Sequence, residues 1–318
     1  MNIRKKNFET QYINTQELKA HFKSKSGPNA SAFLQTVPSE RSLTMTNREM
    51  RIALTYYLQC DTMKLLNVPA DLACSCGKLS THGSPIKATE FHALNCGTDG
   101  QFNRRHNVLV DTLVEAFQYV GLEPKREVQC DLKGNSVKRY DISVANALTG
   151  YNMVNFDLTV KNPLSQACLS KASHSQLSAA ETAAVEKNEK YKEFVKEGEI
   201  FFPLVLETPG AMHEYLEKII RSLSYRVGHA APDRACWTAP NFNSYFFQRI
   251  SVALQKLNAQ AIYNVALKSK STKGDHPLDG NYFLDASNNS YNNDSSQGSI
   301  DDGTTHLKAS NALGVDML

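Results

Sequence analysis

The alternation of apolar and polar residues predicts a group of strands in the middle of the chain. Apolar residues occupy every second position over 153–161, and the segments 126–132 and 137–144 also read as strands, joined by a hairpin turn at Gly134-Asn135. A continuous apolar run at 200–206 is typical of a strand that is buried on both faces. The residue pattern therefore predicts four strands.

Helical spacing of apolar residues surrounds these strands. The predicted helices cover 46–59, 102–120, 175–197, 211–226 and 243–268. In the second of them the apolar stripe consists of Phe102, His106, Leu109, Leu113 and Phe117. Helices before, between and after the strands predict an α/β fold.

Composition divides the chain into four parts. Residues 1–45 are polar and basic and predict a partly disordered arm, with an extension that contacts nucleic acid as the alternative. Residues 46–100 contain a helix and a Cys/His segment. Residues 101–270 hold the strands and most helices and form the predicted α/β domain. Residues 271–318 are rich in Asn, Ser and Asp, with too little apolar surface to offset the entropy of ordering, so we expect an acidic disordered tail.

Charge and cysteine content favour some compartments and partners over others. The net charge is +3 although the tail holds seven Asp against two Lys, so the rest of the chain is basic and suits an anionic partner. No stretch approaches the roughly 20 apolar residues of a membrane span, and no apolar run follows the charged N-terminus, so neither membrane insertion nor secretion is expected. Seven cysteines, an odd number, favour a reducing nuclear or cytosolic location over a disulfide framework.

Four residues of the Cys/His segment have the spacing of metal ligands. Cys74 and Cys76 form a C-x-C pair, and His92 and Cys96 follow as H-x3-C. Soft ligands in this number suit a closed, tetrahedral structural Zn²⁺ site, here a small CCHC zinc knuckle. His82 is a competing ligand, and buried free thiols with a core histidine are the alternative interpretation.

Two aspartates lie on the polar faces of neighbouring predicted strands. Asp157 shares its face with Thr159 and Lys161, whereas Asp141 lies opposite the apolar Ile142. If the strands are adjacent, the two carboxylates converge and can bind a divalent cation. Glu127 at the start of the first strand is a candidate third carboxylate. The alternative interpretation is a pair of exposed aspartates in surface salt bridges with Arg139 and Lys161.

A lysine lies within the apolar stripe of the helix at 175–197. Lys187 is three residues after Ala184 and four before Tyr191, and a buried lysine is costly unless it meets an anion. An acidic site on the adjacent sheet would supply that anion, while a side chain reaching out to solvent is the alternative. Lys190 lies close to the same face.

Together these motifs resemble a known family. Their order along the chain is the Cys/His knuckle, Arg105-His106-Asn107, Glu123-Pro124, Arg139-Tyr140-Asp141, Asp157-Leu158-Thr159-Val160 and Lys187-Asn188-Glu189-Lys190-Tyr191. This order resembles the restriction-like endonuclease region of site-specific non-LTR retrotransposon proteins, over about residues 46–268. Two positions depart from the pattern: Tyr140 replaces the proline that precedes the first acid, and Thr159 replaces the lysine two residues after the second.

The resemblance implies a restriction-endonuclease-like (PD-(D/E)XK) fold, which is a mixed central sheet flanked by helices and preceded by the zinc knuckle. It also implies a metal-dependent DNA endonuclease. It implies that Mg²⁺ or Mn²⁺ is bound by Asp141, Asp157 and the carbonyl of Leu158. Lys187, or Lys190, together with Tyr191 matches the lysine that the following helix supplies in this branch, and Lys161 is the fallback. Contacts with the DNA backbone are expected from Arg104, Arg105, His106 and the knuckle.

Two other functions remain open from the sequence. The first is a DNA-binding module that keeps the fold but has lost catalysis, which the two departures at Tyr140 and Thr159 favour. The second is an unrelated zinc-stabilised protein-interaction domain, which requires Asp141 and Asp157 to lie far apart. The sequence is compatible with a homodimer, and it does not specify a DNA target.

Overall fold

The helices and strands occur largely where the residue pattern predicts them. The structure is a computed structural model that describes residues 13–80, 82–97, 100–130 and 138–271. In chain order the elements are α1 (Gln16–Lys25), α2 (Asn47–Tyr57), α3 (Thr62–Leu65), α4 (Glu90–Ala93), α5 (Gln101–Tyr119), β1 (Pro124–Gln129), β2 (Arg139–Ala145), β3 (Met153–Lys161), α6 (Leu169–Ala172), α7 (Ser178–Tyr191), β4 (Glu199–Glu207), α8 (Glu214–Arg226) and α9 (Phe242–Ser271). Short 3₁₀ turns occur at Ala32–Gln35, Arg41–Leu43 and Lys192–Phe194.

The four strands form one mixed sheet in the order β1-β2-β3-β4. The first three strands are antiparallel neighbours, whereas β4 runs parallel to β3 along its whole length, from Met153 opposite Glu199 to Lys161 opposite Glu207. A parallel pair needs a long crossover, and α7 lies within it. The predicted mixed sheet flanked by helices is confirmed. The predicted turn at Gly134-Asn135 lies outside the described residues.

Helices cover both faces of the sheet. On one face Phe156 and Leu204 join the main core, which also receives Leu113 and Phe117 of α5 and Ile220 of α8. On the other face α7 packs through small residues, with Ala180, Ala183 and Ala184 against Val205 of β4. Alanines on this side of α7 allow a close approach of helix and sheet, which brings the C-terminal half of α7 near the polar residues of β3.

The last helix, α9, is the longest element and is buried on most of its circumference. Its 30 residues span about 45 Å. The predicted stripe included Phe246, Ile250 and Leu254, but Gln248, Gln255 and Asn258 on other sides are buried as well. Buried polar groups need partners. Asn258 donates a hydrogen bond to the Thr208 carbonyl and accepts one from Arg105, so α9 links several segments.

The N-terminal segment differs from the irregular arm that the composition predicts. Helix α1 begins after Thr15, whose hydroxyl accepts a hydrogen bond from the backbone N–H of Leu18. Ile13, Ala20 and Phe33 are buried, and the Phe33 N–H donates to the Ser251 hydroxyl of α9. The basic charges of this segment obscured its few apolar anchors. Residues 1–12 and 272–318, including nearly all of the predicted disordered tail, lie outside the described residues.

One core receives residues from both predicted segments, 46–100 and 101–270. Ile52, Cys74 and Leu94 belong to the same apolar cluster as Phe156 and Ile262. The Cys/His segment is therefore packed against the α/β part rather than attached to it by a linker. Within the described ranges, every helix is too short or too polar to cross a lipid bilayer.

A buried histidine makes the stability of this fold sensitive to acid. His21 is 1% exposed, packs edge-on against Tyr56, and neither ring nitrogen has a hydrogen-bond partner among the described residues. Burial, together with the charge of Lys25, lowers the pKa of His21 to about 3. The unfolded chain therefore binds a proton near pH 6.5 that the folded protein does not, and stability falls as the pH drops below that value.

We expect His21→Phe to remove this acid sensitivity. At pH 5 the variant should gain about 2 kcal/mol relative to the wild type, and at pH 8 the difference should shrink because both states of the wild type are then neutral. Chemical denaturation at the two pH values measures it. The exposed His82→Phe serves as control and should show no such change. A gain of equal size at both pH values would contradict the titration argument and point to packing alone.

Candidate functional site

The four Cys/His residues of the knuckle segment meet at one point. The ligand atoms of Cys74, Cys76, His92 and Cys96 all lie within 4.8 Å of one another. Two edges of the group are 3.8 Å, between the sulfurs of Cys74 and Cys96, and 3.4 Å, between Cys76 Sγ and His92 Nε2. Tetrahedral zinc with bonds of about 2.0–2.3 Å has ligand–ligand edges of about 3.5–3.8 Å. The group can therefore bind a metal ion such as zinc.

Local structure explains how these residues converge. The Cys74 N–H donates to the Ile86 carbonyl at 2.8 Å, which holds the C-x-C segment in place, and Gly77 follows with a φ of 69°, a conformation that favours glycine. On the other side the Thr89 hydroxyl caps α4, which carries His92. Cys74 and Cys96 are buried, and burial raises the pKa of the Cys74 thiol to about 12. A bound cation would offset that cost, since metal ligation requires the thiolate.

A second polar site lies where β2 separates from β3. The residue pairs between these strands end with Ile142 opposite Phe156, and Asp141 immediately precedes Ile142 in β2. Its carboxylate bridges the opening, because Asp141 Oδ2 accepts the backbone N–H of Leu158 at 2.6 Å. The side chain of Asp141 is 14% exposed. Asp141 is therefore bonded to the residue next to Asp157, and the two acidic residues belong to one site.

Asp157 is buried and is held by two residues of α7. Its side chain is 6% exposed, and Asp157 Oδ2 forms an ion pair with Lys187 Nζ. Asp157 Oδ1 accepts a hydrogen bond of 2.5 Å from the Tyr191 hydroxyl, which also lies 2.8 Å from the Arg139 carbonyl. Burial and the neighbouring Asp157 raise the pKa of Tyr191. The neutral phenol therefore acts as a donor, and its proton is shared between two acceptors.

Lysines line the exposed edge of this site. Lys190 Nζ lies 3.0 Å from the Tyr191 hydroxyl and 4.5 Å from the centre of its ring, and Lys190 is exposed. Lys138 Nζ approaches the Lys190 carbonyl at 3.4 Å. Lys138 Nζ also pairs with Glu193 at 3.4 Å. Of the two lysines that the sequence proposed for this site, Lys187 contacts the Asp157 carboxylate, whereas Lys190 contacts the Tyr191 hydroxyl.

His106 of α5 joins the acidic site from the opposite side of the sheet. His106 Nε2 lies 3.2 Å from Asp141 Oδ1, and the imidazole is 31% exposed. The hydrogen bond with Asp141 raises the pKa of His106 against the effect of burial, and the charges of Asp141 and Asp157 add to the increase. The sequence analysis interpreted His106 as a DNA contact. The position of His106 in the apolar stripe of this helix was the signal that its side chain faces the sheet.

Other sequence candidates lie elsewhere. Glu127 faces Asp141 by register, but its backbone adopts a φ of 52° and its exposed carboxylate lies 3.8 Å from Arg139. Lys161 pairs with Glu186 at 3.3 Å, so neither proposed surface partner of the aspartates contacts them. Glu207, another carboxylate on β4, is buried and accepts the Ala180 N–H at the start of α7.

Arg105 corrects one expectation for the DNA contacts. It is 5% exposed, donates to Asn258 Oδ1 at 2.9 Å and to the Leu94 carbonyl at 3.3 Å, and is thereby removed from any phosphate. The helical period places its neighbour Arg104 on the exposed side of α5. Arg105 is a packing residue between α5, α9 and the Cys/His segment, whereas Arg104 remains available to a ligand.

We therefore expect Arg105→Met to lower the free energy of unfolding by about 2–4 kcal/mol, since it leaves buried acceptors without a donor. Arg104→Met, the same change one residue away, should alter stability by less than about 0.5 kcal/mol. Chemical denaturation measures both variants. An Arg105→Met variant as stable as the wild type would contradict the packing role of Arg105.

Comparison with known proteins adds no family assignment. A scan against models of protein families and a search of curated proteins both returned no match for this chain. The functional argument therefore depends on the residues and their geometry.

Proposed function

We propose that this protein is a metal-dependent DNA endonuclease of the PD-(D/E)XK type. The proposal rests chiefly on one arrangement: the buried ion pair of Asp157 and Lys187, next to the partly exposed Asp141 that is bonded to the Leu158 amide. Two acids and a lysine brought together from two strands and the following helix are the residue types that phosphodiester hydrolysis with a divalent cation requires. The mixed sheet flanked by helices also agrees with this proposal.

The donor set fits a hard divalent cation. Asp141 and Asp157 bring two carboxylates to the site, where Lys187 pairs with Asp157 and His106 contacts Asp141. Carboxylate oxygens are the ligands that Mg²⁺ and Mn²⁺ prefer. Asp141 offers the more accessible oxygen, since Asp157 lies beneath Lys187 and Tyr191. Bound there, the ion would activate water and stabilise charge on the phosphate.

Residues of the chain supply the remaining chemistry. The Lys187 ammonium lies against the carboxylate of Asp157 and is therefore held at the acidic site. From there Lys187 orients the attacking water or neutralises charge that develops on the phosphate. Tyr191 fixes the position of Asp157 through its hydroxyl, and the α7 backbone carries both residues. Lys190, Lys138 and Arg104 hold the DNA backbone by charge, which contributes affinity without base specificity. The zinc-binding cluster stabilises the fold rather than the reaction, since four protein ligands leave no open position.

Plasmid nicking tests the proposal. We expect purified full-length protein to convert supercoiled plasmid to open circles with Mg²⁺ or Mn²⁺, and chelation of these ions by EDTA to stop the reaction. Linear DNA of the same sequence serves in a parallel gel-shift assay that reports binding alone. Absence of nicking with either ion, at concentrations where the DNA is shifted, would refute the endonuclease.

That outcome would favour the second candidate function, a DNA-binding module without catalysis. One observation supports this alternative: both oxygens of Asp157 are already engaged, one by Lys187 and one by Tyr191, so the site is neutralised from within. Such a module would bind DNA with the salt dependence of phosphate contacts and without need of Mg²⁺. The gel-shift arm of the same experiment, with and without EDTA, distinguishes the two.

A further inference from the structure

A hairpin of the Cys/His segment presents an apolar face to solvent. Two antiparallel bridges define the hairpin, since Ala73 pairs with Lys87 and Leu79 pairs with Pro85. All four residues are exposed, and Leu79 is 61% exposed. We propose that this face binds duplex DNA and that Leu79 enters the minor groove as a wedge between base pairs. DNA as the ligand rests on the proposed function, but the contact does not depend on cleavage.

Leu79 and Pro85 form one apolar knob on this face. One backbone hydrogen bond flanks the pair on each side, from the Ser80 N–H to the Ser84 carbonyl at 2.7 Å and from the Ile86 N–H to the Lys78 carbonyl at 3.1 Å. Leu79 and Pro85 are therefore a non-hydrogen-bonded pair, the kind in which side chains lie closest together. Proline lacks an N–H, but a residue at such a position donates none to its partner strand.

The other face of the hairpin anchors it to the core. Its buried residues are Leu72, Cys74 and Ala88. The Ser75 N–H donates to the Ser269 hydroxyl of α9 at 3.1 Å, and Cys74 also belongs to the Cys/His cluster. Because the hairpin is fixed from this side, inserting Leu79 does not also require the ordering of a loop. More of the binding energy is then available for unstacking a base step.

The charge of the hairpin favours a polyanion. Residues 72–89 contain Lys78 and Lys87 and no Asp or Glu. Both lysines are exposed, and neither has a carboxylate partner within the part of the chain that the structure describes. Zinc bound by three thiolates would carry one negative charge, which Lys78, two residues after Cys76, offsets. Lys87, two residues after Pro85, then supplies a charge for a phosphate beside the knob.

The size of the face distinguishes DNA from a protein partner. Each partner in a stable protein complex buries roughly 800 Å² from about 20–30 residues. The apolar side chains of Ala73, Leu79 and Pro85 supply only a small part of such an area. A wedge in the minor groove needs one or two apolar side chains next to a cation. The knob and its neighbouring lysine therefore fit a base step better than a protein surface.

DNA bending tests the wedge. Full-length protein, with its Cys/His cluster loaded with zinc, is added to a duplex of about 30 base pairs with a donor and an acceptor dye at its ends. No Mg²⁺ or Mn²⁺ is added, so cleavage does not contribute. We expect energy transfer to rise as the duplex bends by about 20–90°. Leu79→Ser should lose the bend and bind at least about fivefold more weakly, whereas Leu79→Met, which keeps an apolar side chain, should retain both.

Two further variants separate the wedge from a general effect. Leu58, at the end of α2, is 61% exposed like Leu79, so Leu58→Ser is the matched control and should bend and bind DNA as the wild type does. Lys87→Gln should reduce the slope of log affinity against log salt concentration by about one and leave the bend in place.

The outcomes distinguish the wedge from the endonuclease. An unchanged bend in Leu79→Ser, or a wild type that leaves the duplex unbound or straight, would overturn the wedge even if the protein nicks plasmid. Self-association of the wild type that Leu79→Ser removes, measured by sedimentation velocity, would assign the face to a second copy of the chain and also overturn the wedge. A bend that depends on Leu79 in a protein that fails to nick plasmid would support the wedge and refute the endonuclease.

Discussion

Asp141→Asn should reduce metal-dependent plasmid nicking by at least about a hundredfold while the protein remains folded. Asparagine has nearly the same shape, and its side-chain oxygen is able to accept the Leu158 amide that Asp141 Oδ2 now accepts. What the substitution removes is the negative charge that would hold the cation and the acceptor that faces His106. Nicking rates at saturating Mn²⁺, with the melting temperature measured on the same preparation, test this expectation.

A matched control uses the same chemical change on a carboxylate outside the site. Glu186 lies on α7 one residue before Lys187, but it is exposed and pairs with Lys161 at 3.3 Å. Glu186→Gln should therefore nick plasmid at the rate of the wild type. Equal rates for Asp141→Asn and the wild type would show that the acidic site takes no part in any cleavage observed.

Asp157→Asn should abolish nicking as well, but its effect is harder to interpret. Removing this charge leaves the Lys187 ammonium, 23% exposed, beside a neutral partner. Breaking one side of a mostly buried ion pair destabilises a protein even where the pair contributes little net stability. The Asp141 variant is therefore the stricter test of catalysis, and the Asp157 variant also reports on the stability of the contact between α7 and β3.

Short-range pattern was enough to predict much of this site. The period of two across 153–161 corresponds to the bounds of β3, and the cost of a lysine in the stripe of α7 predicted an anionic partner for Lys187, which is Asp157. The spacing of Cys74, Cys76, His92 and Cys96 predicted that these four residues meet in a group that could hold a metal ion. In each case the deciding interaction follows from residues close together in sequence, or from a strong physical penalty.

The expectations that failed depend on contacts between distant segments or on unusual backbone. Arg105 is buried because Asn258, 153 residues later, accepts its hydrogen bond, and no local pattern contains that contact. In a regular strand Tyr140 and Ile142 would lie on the same face of the sheet. Here Tyr140 packs against Tyr191 and Phe201 on one face, whereas Ile142 joins the main core on the other, so the alternation of side chains in β2 is interrupted at Asp141. The left-handed φ of Glu127, opposite this point, is rare for a residue other than glycine and had no signal in the sequence.

Removal of metal from the Cys/His cluster should have the largest effect on stability. We expect chelation of zinc, or Cys96→Ser, to lower the melting temperature by at least about 10 °C and to abolish stoichiometric zinc binding. Apparent zinc-binding energies of about 10–16 kcal/mol in small folded sites exceed the total stability of many domains. Inductively coupled plasma mass spectrometry and thermal unfolding measure the two results.

The loss should spread beyond the cluster because its ligands belong to the main core. Cys74 and Cys96 are buried in the same apolar cluster as Leu94 and Leu109, and the Leu94 carbonyl accepts a hydrogen bond from Arg105 of α5. Without the ion, three cysteines and a histidine would leave this region partly unfolded and expose the start of the helix that positions His106. The exposed Cys60→Ser is the matched control and should keep both the zinc and the melting temperature of the wild type. Zinc content that is unaltered in Cys96→Ser would refute the assignment of the cluster.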